Sequence, residues 1–148
     1  MVATESPVNL KSVMTAKPAC CLPQTAVRVV AHLMKERDCG QIPVVDALDT
    51  LRPVGTITDR DIAIRIVAAG KNPAEATASD CMSSPCVTIE IDRSLRECCE
   101  LMETHKLRRM LVVDDDGMLC GIVALADVAH SGHDATTVDV LKVVSQPG

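Results

Sequence analysis

A stretch of this chain returns 68 residues further on, and that duplication constrains the fold more than any other feature. Val13, Met14 and Thr15 are answered by Cys81, Met82 and Ser83. The apolar set Val27, Val30, Ala31 and Met34 is answered by Leu95, Cys98, Cys99 and Met102, and the run from Ile42 to Asp46 by the run from Met110 to Asp114. After a shorter turn at 115–119 the spacing falls to 66, and Gly121, Ile122, Val123, Ala124, Leu125, Ala126 and Asp127 stand opposite Gly55, Thr56, Ile57, Thr58, Asp59, Arg60 and Asp61. Three blocks in the same order at one spacing mark an internal repeat.

Within the first copy the pattern predicts β-α-β-β-α. A lead-in turn or helix covers 8–15, and a brief strand follows at 19–22. Val27, Val30, Ala31 and Met34 fall at i, i+3, i+4 and i+7, the stripe of a helix that Thr25 can cap and Gly40 can end. Residues 42–45 predict a buried strand, with Pro43 at its start or on an edge where a missing N–H costs least. A polar turn at 46–53 leads to a strand at 54–58 and a helix at 60–69 closed by Gly70. Residues 8–70 thus form repeat one, the small polar stretch 71–79 a linker, 80–130 repeat two, and 131–148 a tail whose residues 135–144, with Val138, Leu141 and Lys142, predict a last helix.

Composition excludes several functions. Of 148 residues, 47% are hydrophobic and none is Phe, Trp or Tyr, so aliphatic side chains and methionines fill the core and no aromatic platform exists to stack bases. A net charge of −5 leaves no basic stripe for a polyanion, which argues against nucleic acid. No secretory leader pattern and no membrane-length apolar run is visible, so the expected location is cytoplasmic, where the eight cysteines are mostly free thiols. None forms a Cys-x-x-Cys pair, the adjacent doublets Cys20, Cys21 and Cys98, Cys99 do not point to one metal, and Cys98 and Cys99 read as core positions. The pair His130 and His133 could chelate a metal, but a polar loop is the expected reading. No nucleophile elbow, P-loop or His/Glu metal motif occurs, which predicts a protein that is not an enzyme.

The chemistry concentrates where the strand at 54–58 turns into the next helix. Asp59 in a cap position would leave backbone N–H groups open to an anion at the helix start. Thr58 adds a hydroxyl, Arg60 a cation, and Asp59 and Asp61 add carboxylates that can accept hydrogen bonds from sugar hydroxyls. Any ordinary helix cap would use some of the same residue types.

Taken together, Met14 and Thr15 with Pro18, Met82 and Ser83 with Pro85, the Pro43, Val44, Val45, Asp46 strand and the Gly-apolar-x-Thr-x-x-Asp corner resemble the CBS domain, named after cystathionine β-synthase. The resemblance covers residues 8–129 as one tandem pair, a Bateman module. It implies an α+β fold of two β-α-β-β-α repeats about a pseudo-twofold axis, and regulation by an adenosine nucleotide (AMP, ADP or ATP) held between the repeats. By the same resemblance, Asp61 holds the ribose hydroxyls and Thr58 contacts ribose or phosphate, with Gly55, Asp59 and Arg60 in the same corner. Thr15, Lys17, Pro18, Ile42, Pro43 and Val44 would wall the base, and Arg109 would lie near a phosphate. The second corner keeps Asp127 but has Ala124 in place of Thr58 and lacks the cation, so the first is the expected site. The resemblance also implies a homodimer signalling to an unidentified effector protein. Alternatives are a ligand-free interaction or stress-response scaffold of the same fold, or a redox or metal sensor built on the cysteines.

Overall fold

The computed structural model describes residues 9–84 and 86–130. Among these the helices and strands run α1 (Leu10–Val13), β1 (Thr15–Ala16), α2 (Val27–Arg37), β2 (Gln41–Val45), β3 (Pro53–Thr58), α3 (Asp59–Ile62), β4 (Thr88–Glu90), α4 (Leu95–His105), β5 (Arg109–Val113), β6 (Leu119–Ala124) and α5 (Leu125–His130). The expected tail helix lies outside the described residues. The chain separates into two compact units.

Unit one takes its described residues from 9–16, 87–116 and 120–130. Its sheet runs β1-β6-β5-β4, with β1 antiparallel to β6 through Thr15 and Ile122, and β4 parallel to β5 through Ile89 and Val112. On this sheet α4 lays the stripe Leu95, Cys98, Cys99 and Met102, all buried as their spacing predicts. Ser94 starts α4 with a capping box: its hydroxyl accepts the Glu97 N–H at 3.0 Å, and the Glu97 carboxylate faces the Ser94 N–H. Leu10 of α1, fully buried, fills the same core. Thus the opening of repeat one is built into the unit that holds most of repeat two.

Unit two takes 17–84, 86 and 117–119. Its sheet pairs β2 with β3 antiparallel, from Gln41 opposite Thr58 to Val44 opposite Gly55. Val27, Val30 and Met34 of α2, Ile42 and Val44 of β2, and Ile57 of β3 form its core, each such burial contributing roughly 1.5–3 kcal/mol. Pro43 sits in the middle of β2 and not at its start. Its carbonyl accepts the Cys21 N–H at 3.0 Å, so its nitrogen faces the same side, away from β3, and the β2–β3 ladder loses nothing.

Several local expectations change. The strand expected at 19–22 reduces to one bridge, Cys21 to Val44, since Pro18 and Pro23 on either side have no N–H to extend it. Thr25 does not cap α2; its Oγ1 accepts the Leu22 N–H, and Ala26 takes the cap position without a side-chain bond. The open N–H groups of Val27 and Arg28 instead donate to the carbonyls of Ala76 and Pro73, at 2.9 and 3.0 Å. The stretch 71–79 therefore closes a helix end, and it also contributes Ala76 and Ala78 to the core. Asp38, left-handed at φ 50°, ends α2 where Gly40 was expected, and Lys106 at φ 54° does the same for α4. The helix expected over 60–69 is α3 followed by a π-helical turn, Ala63–Val67, in which the Ala68 N–H reaches the Ala63 carbonyl; Gly70, at φ 73°, follows it as expected.

Candidate functional site

The corner between β3 and α3 is held by bonds to its own backbone. Thr58, not Asp59, is the N-cap. Its hydroxyl accepts the Asp61 N–H at 3.1 Å, and Asp61 Oδ2 accepts the Thr58 N–H at 2.9 Å, a reciprocal capping box. Asp59 Oδ1 accepts the Arg60 N–H at 2.8 Å, while the Asp59 N–H donates to the Gly40 carbonyl at 3.0 Å. The first three N–H groups of α3 are therefore engaged, and the open anion-binding helix end expected from the sequence is not formed. A methyl group on Gly40 would stand 3.1 Å from Asp59 Oδ2, so this glycine makes room for the corner and does not end a helix.

What the corner offers is Asp61. Its side chain is 17% exposed, and Oδ1 accepts no hydrogen bond among the described residues; the cation beside it is Arg65, with Nε at 4.0 Å. Arg65 Nη1 donates to the carbonyls of Met82 at 3.1 Å and Cys81 at 3.4 Å. Just beyond, Ser83 and Thr56 exchange two backbone bonds, at 2.9 and 3.1 Å, an isolated antiparallel bridge that holds the start of repeat two beside β3. Gly55 permits this approach, since a Cβ there would come 2.8 Å from Met82 Sδ and 2.9 Å from the Ser83 carbonyl. Burial pushes the Cys81 thiol above its ordinary range, and the Asp61 carboxylate nearby adds to the effect.

Of the residues singled out from the sequence, unit two holds Lys17, Pro18, Ile42, Pro43, Val44, Gly55, Thr58, Asp59, Arg60 and Asp61. Ile42, Pro43 and Val44 are buried in β2, and Lys17 is exposed with a left-handed backbone at φ 52°. Thr15, Arg109 and Asp127 belong to unit one. There Thr15 pairs with Ile122, and Arg109 is the exposed first residue of β5. The second corner repeats the backbone anchor of the first: the Leu125 N–H donates to the Arg108 carbonyl at 2.8 Å, as Asp59 does to Gly40. Ala124 has no side-chain acceptor, so the hydroxyl half of a capping box is lost. In this unit Gly121 lies against Met14, as Gly55 lies against Met82 in the other.

Sequence reasoning passed over Arg65, Met82 and Ser83 as parts of the first corner. Arg65 carried a readable signal, since it stands four residues after Asp61 on one helical face. Met82 and Ser83 carried none, because repeat logic assigns them to the second copy. Elsewhere, a cavity of about 450 Å³ in unit one is lined by Thr88, Ile89, Glu90, Arg93, Glu97, Glu100, Leu101 and Thr104, none of them a residue of either corner. Among the described residues no group of three or more His, Cys, Asp and Glu is placed to hold a metal ion, and no helix is long and apolar enough to cross a membrane. His130 ends α5, and the rest of the expected loop, through His133, falls outside the described residues.

Two compact α+β units, each ending a sheet strand in a Gly-started corner, define a duplicated module whose polar chemistry lies at one strand-to-helix turn. The CBS domain family matches twice, over residues 10–68 and 78–134, and the chain belongs to that family as a tandem pair of the Bateman type. It is 40% identical over 121 residues to an uncharacterized protein of Methanopyrus kandleri, covering 82% of this chain but only 58% of that relative's length. It is 31% identical over 137 residues to hypoxic response protein 1 of Mycobacterium tuberculosis, covering 93% and 94% of the two chains. A crystal structure of Hypoxic Response Protein I with two coordinated zinc ions matches with a TM-score of 0.74 at 32% identity, over 83% of this chain and 98% of that one. The crystal structure of CBSX2 in complex with AMP shares the fold, with a TM-score of 0.68 at 24% identity over 83% and 94% of the chains.

Proposed function

We propose that this CBS pair is a regulatory adenine-nucleotide sensor and that Asp61 is the ribose anchor of its ligand site. The observation that carries the reading is the state of that carboxylate. One oxygen is fixed by the Thr58 N–H, the other lacks a hydrogen bond among the described residues, and the group is mostly buried. A carboxylate so held can accept both vicinal hydroxyls of a ribose, and burying those hydroxyls without such a partner costs roughly 1–3 kcal/mol each. The AMP complex of CBSX2, a protein of the same fold, makes adenine nucleotides the first ligands to try. Asp127 has the same place in the second corner, but Ala124 leaves it without the hydroxyl partner, so we assign one site to the chain. Val29, Ile64 and Val67 are exposed apolar side chains of unit two, and we assign the chain to a homodimer whose output passes to a separate effector protein. The eight thiols, none in a disulfide, suit a reducing cytoplasm.

A thermal melt with AMP, ADP and ATP, on the wild type and on Asp61→Ala, tests this. Ligand at ~100 times its dissociation constant stabilises the native state by about 2.7 kcal/mol, a rise of several degrees. The expected result is a rise with at least one nucleotide that disappears in the variant. One observation favours the ligand-free scaffold instead: the capping box already satisfies Thr58 and half of Asp61. No rise with any of the three nucleotides would decide for that scaffold.

A further inference from the structure

We infer that Arg65 is a positioning residue that ties the charge of Asp61 to the segment 81–83, so that the state of the corner carboxylate sets how firmly the start of repeat two pairs with β3. Three observations carry this. Arg65 lies within the π-helical turn Ala63–Val67, an irregularity that a plain continuation of α3 would not require. Its guanidinium faces two ways, with Nη1 on the carbonyls of Met82 and Cys81 and Nε 4.0 Å from Asp61 Oδ1. The segment it grips is continuous with Ser83, whose paired backbone bonds to Thr56 return to the strand that ends in Thr58. The path Thr58, Asp61, Arg65, Met82, Ser83, Thr56 is therefore a closed ring within unit two.

The ring has one adjustable member. The charged and titratable groups facing Arg65 are Asp61 on its own helix and Cys81 on the segment it grips, and burial keeps the Cys81 thiol protonated. With Asp61 Oδ1 accepting no hydrogen bond among the described residues, the field of the carboxylate falls on Arg65 and holds the fork over the two carbonyls. A ligand hydroxyl donating to Oδ1 draws that charge away and frees the guanidinium to shift. For signalling, the inference rests on the nucleotide reading above, because only a ligand at Asp61 would operate the ring in this way. The coupling itself exists without ligand and is tested without it.

The test is amide hydrogen exchange on the full chain, free of ligand, for the wild type, Asp61→Asn, Arg65→Met and the double variant. Asn keeps an oxygen to accept the Thr58 N–H and replaces the charged oxygen that faces Arg65 with a neutral NH2. Each single variant is expected to speed exchange at the Ser83 and Thr56 amides by about two- to five-fold, the scale of a half-exposed ion pair, while the Val45 amide, bonded to Cys21, stays at its wild-type rate. The double variant should be no faster than the faster single. Multiplying effects, an Asp61→Asn rate equal to wild type at both amides, or an equal speeding at Val45 would each overturn the inference. The nucleotide melts, run separately, can fail without touching this outcome.

Discussion

Gly55 shows how one residue can set a close approach that no rule of turn chemistry announces. Its φ is not in the left-handed region, so flexibility is not what it supplies; the space taken by Met82 Sδ and the Ser83 carbonyl is. Gly55→Ala forces those atoms apart, and overpacking of this kind costs about 1–3 kcal/mol. Urea unfolding should show the midpoint falling with an unchanged slope. The thiols give a second prediction at this scale. Burial pushes Cys21 and Cys98 up to about 12, whereas an unfolded chain ionises its thiols near ~8.5. A raised native pKa means the folded state keeps protons that the unfolded state has lost, so stability is whole below ~8.5 and declines as pH rises toward 12. Melting midpoints should fall through that window, and Cys21→Ala with Cys98→Ala should flatten the fall while lowering the neutral-pH midpoint.

Among the elements, the helix ends carry the contrasts. The stretch 71–79 looked like a linker because its residues are small and polar, yet the Pro73 and Ala76 carbonyls cap α2 and Ala76 and Ala78 fill a core. A backbone carbonyl has no sequence signature, so a cap supplied from far along the chain cannot be read in advance. The C-terminal ends were misplaced for a related reason. Gly40 is free of the steric cost of a left-handed backbone, but the helix stops two residues earlier, at Asp38, and Lys106 matches it 68 residues on. Lys106→Gly removes that steric cost and should raise stability by roughly 0.5–1 kcal/mol, read as a higher denaturation midpoint. Ser94→Ala, which breaks the α4 capping box, should lower it by about 1 kcal/mol.

For the whole molecule, the important fact is that repeats and compact units do not coincide. Leu10 belongs to the core that includes Met102 and Val112, while Ala76, Ala78 and Cys81 belong to the core that includes Val27 and Ile57. Each unit borrows the opening of the other repeat. A fragment spanning 17–70 therefore lacks three core residues and both backbone caps of α2, and it should show no cooperative melt by circular dichroism. Extending it to 86 restores those pieces and should restore a cooperative transition. If 17–70 melts cooperatively on its own, the borrowed segment is dispensable.

The α-β-β-α order after residue 26, the duplication and the family were all present in the sequence, because each rests on local chemistry: an apolar period, a turn composition, a motif repeated at fixed spacing. Strand lengths at 41–45 and 53–58 and the helix stripes at 27–37 and 95–105 follow from the same local signals. Tertiary structure alone decided what faces the corner. The structure pairs Thr15 with Ile122 and brings Met82, Ser83 and Arg65 to the Thr58 corner. The helix start at 58–61 is closed by its own side chains where the sequence reading expected open N–H groups, and the Thr58 and Asp61 pairing that closes it is itself local. The approach of 81–83 to the corner depends on contacts between segments far apart in the chain, and the energy of such a contact belongs to the pair of surfaces, which neither segment encodes by itself.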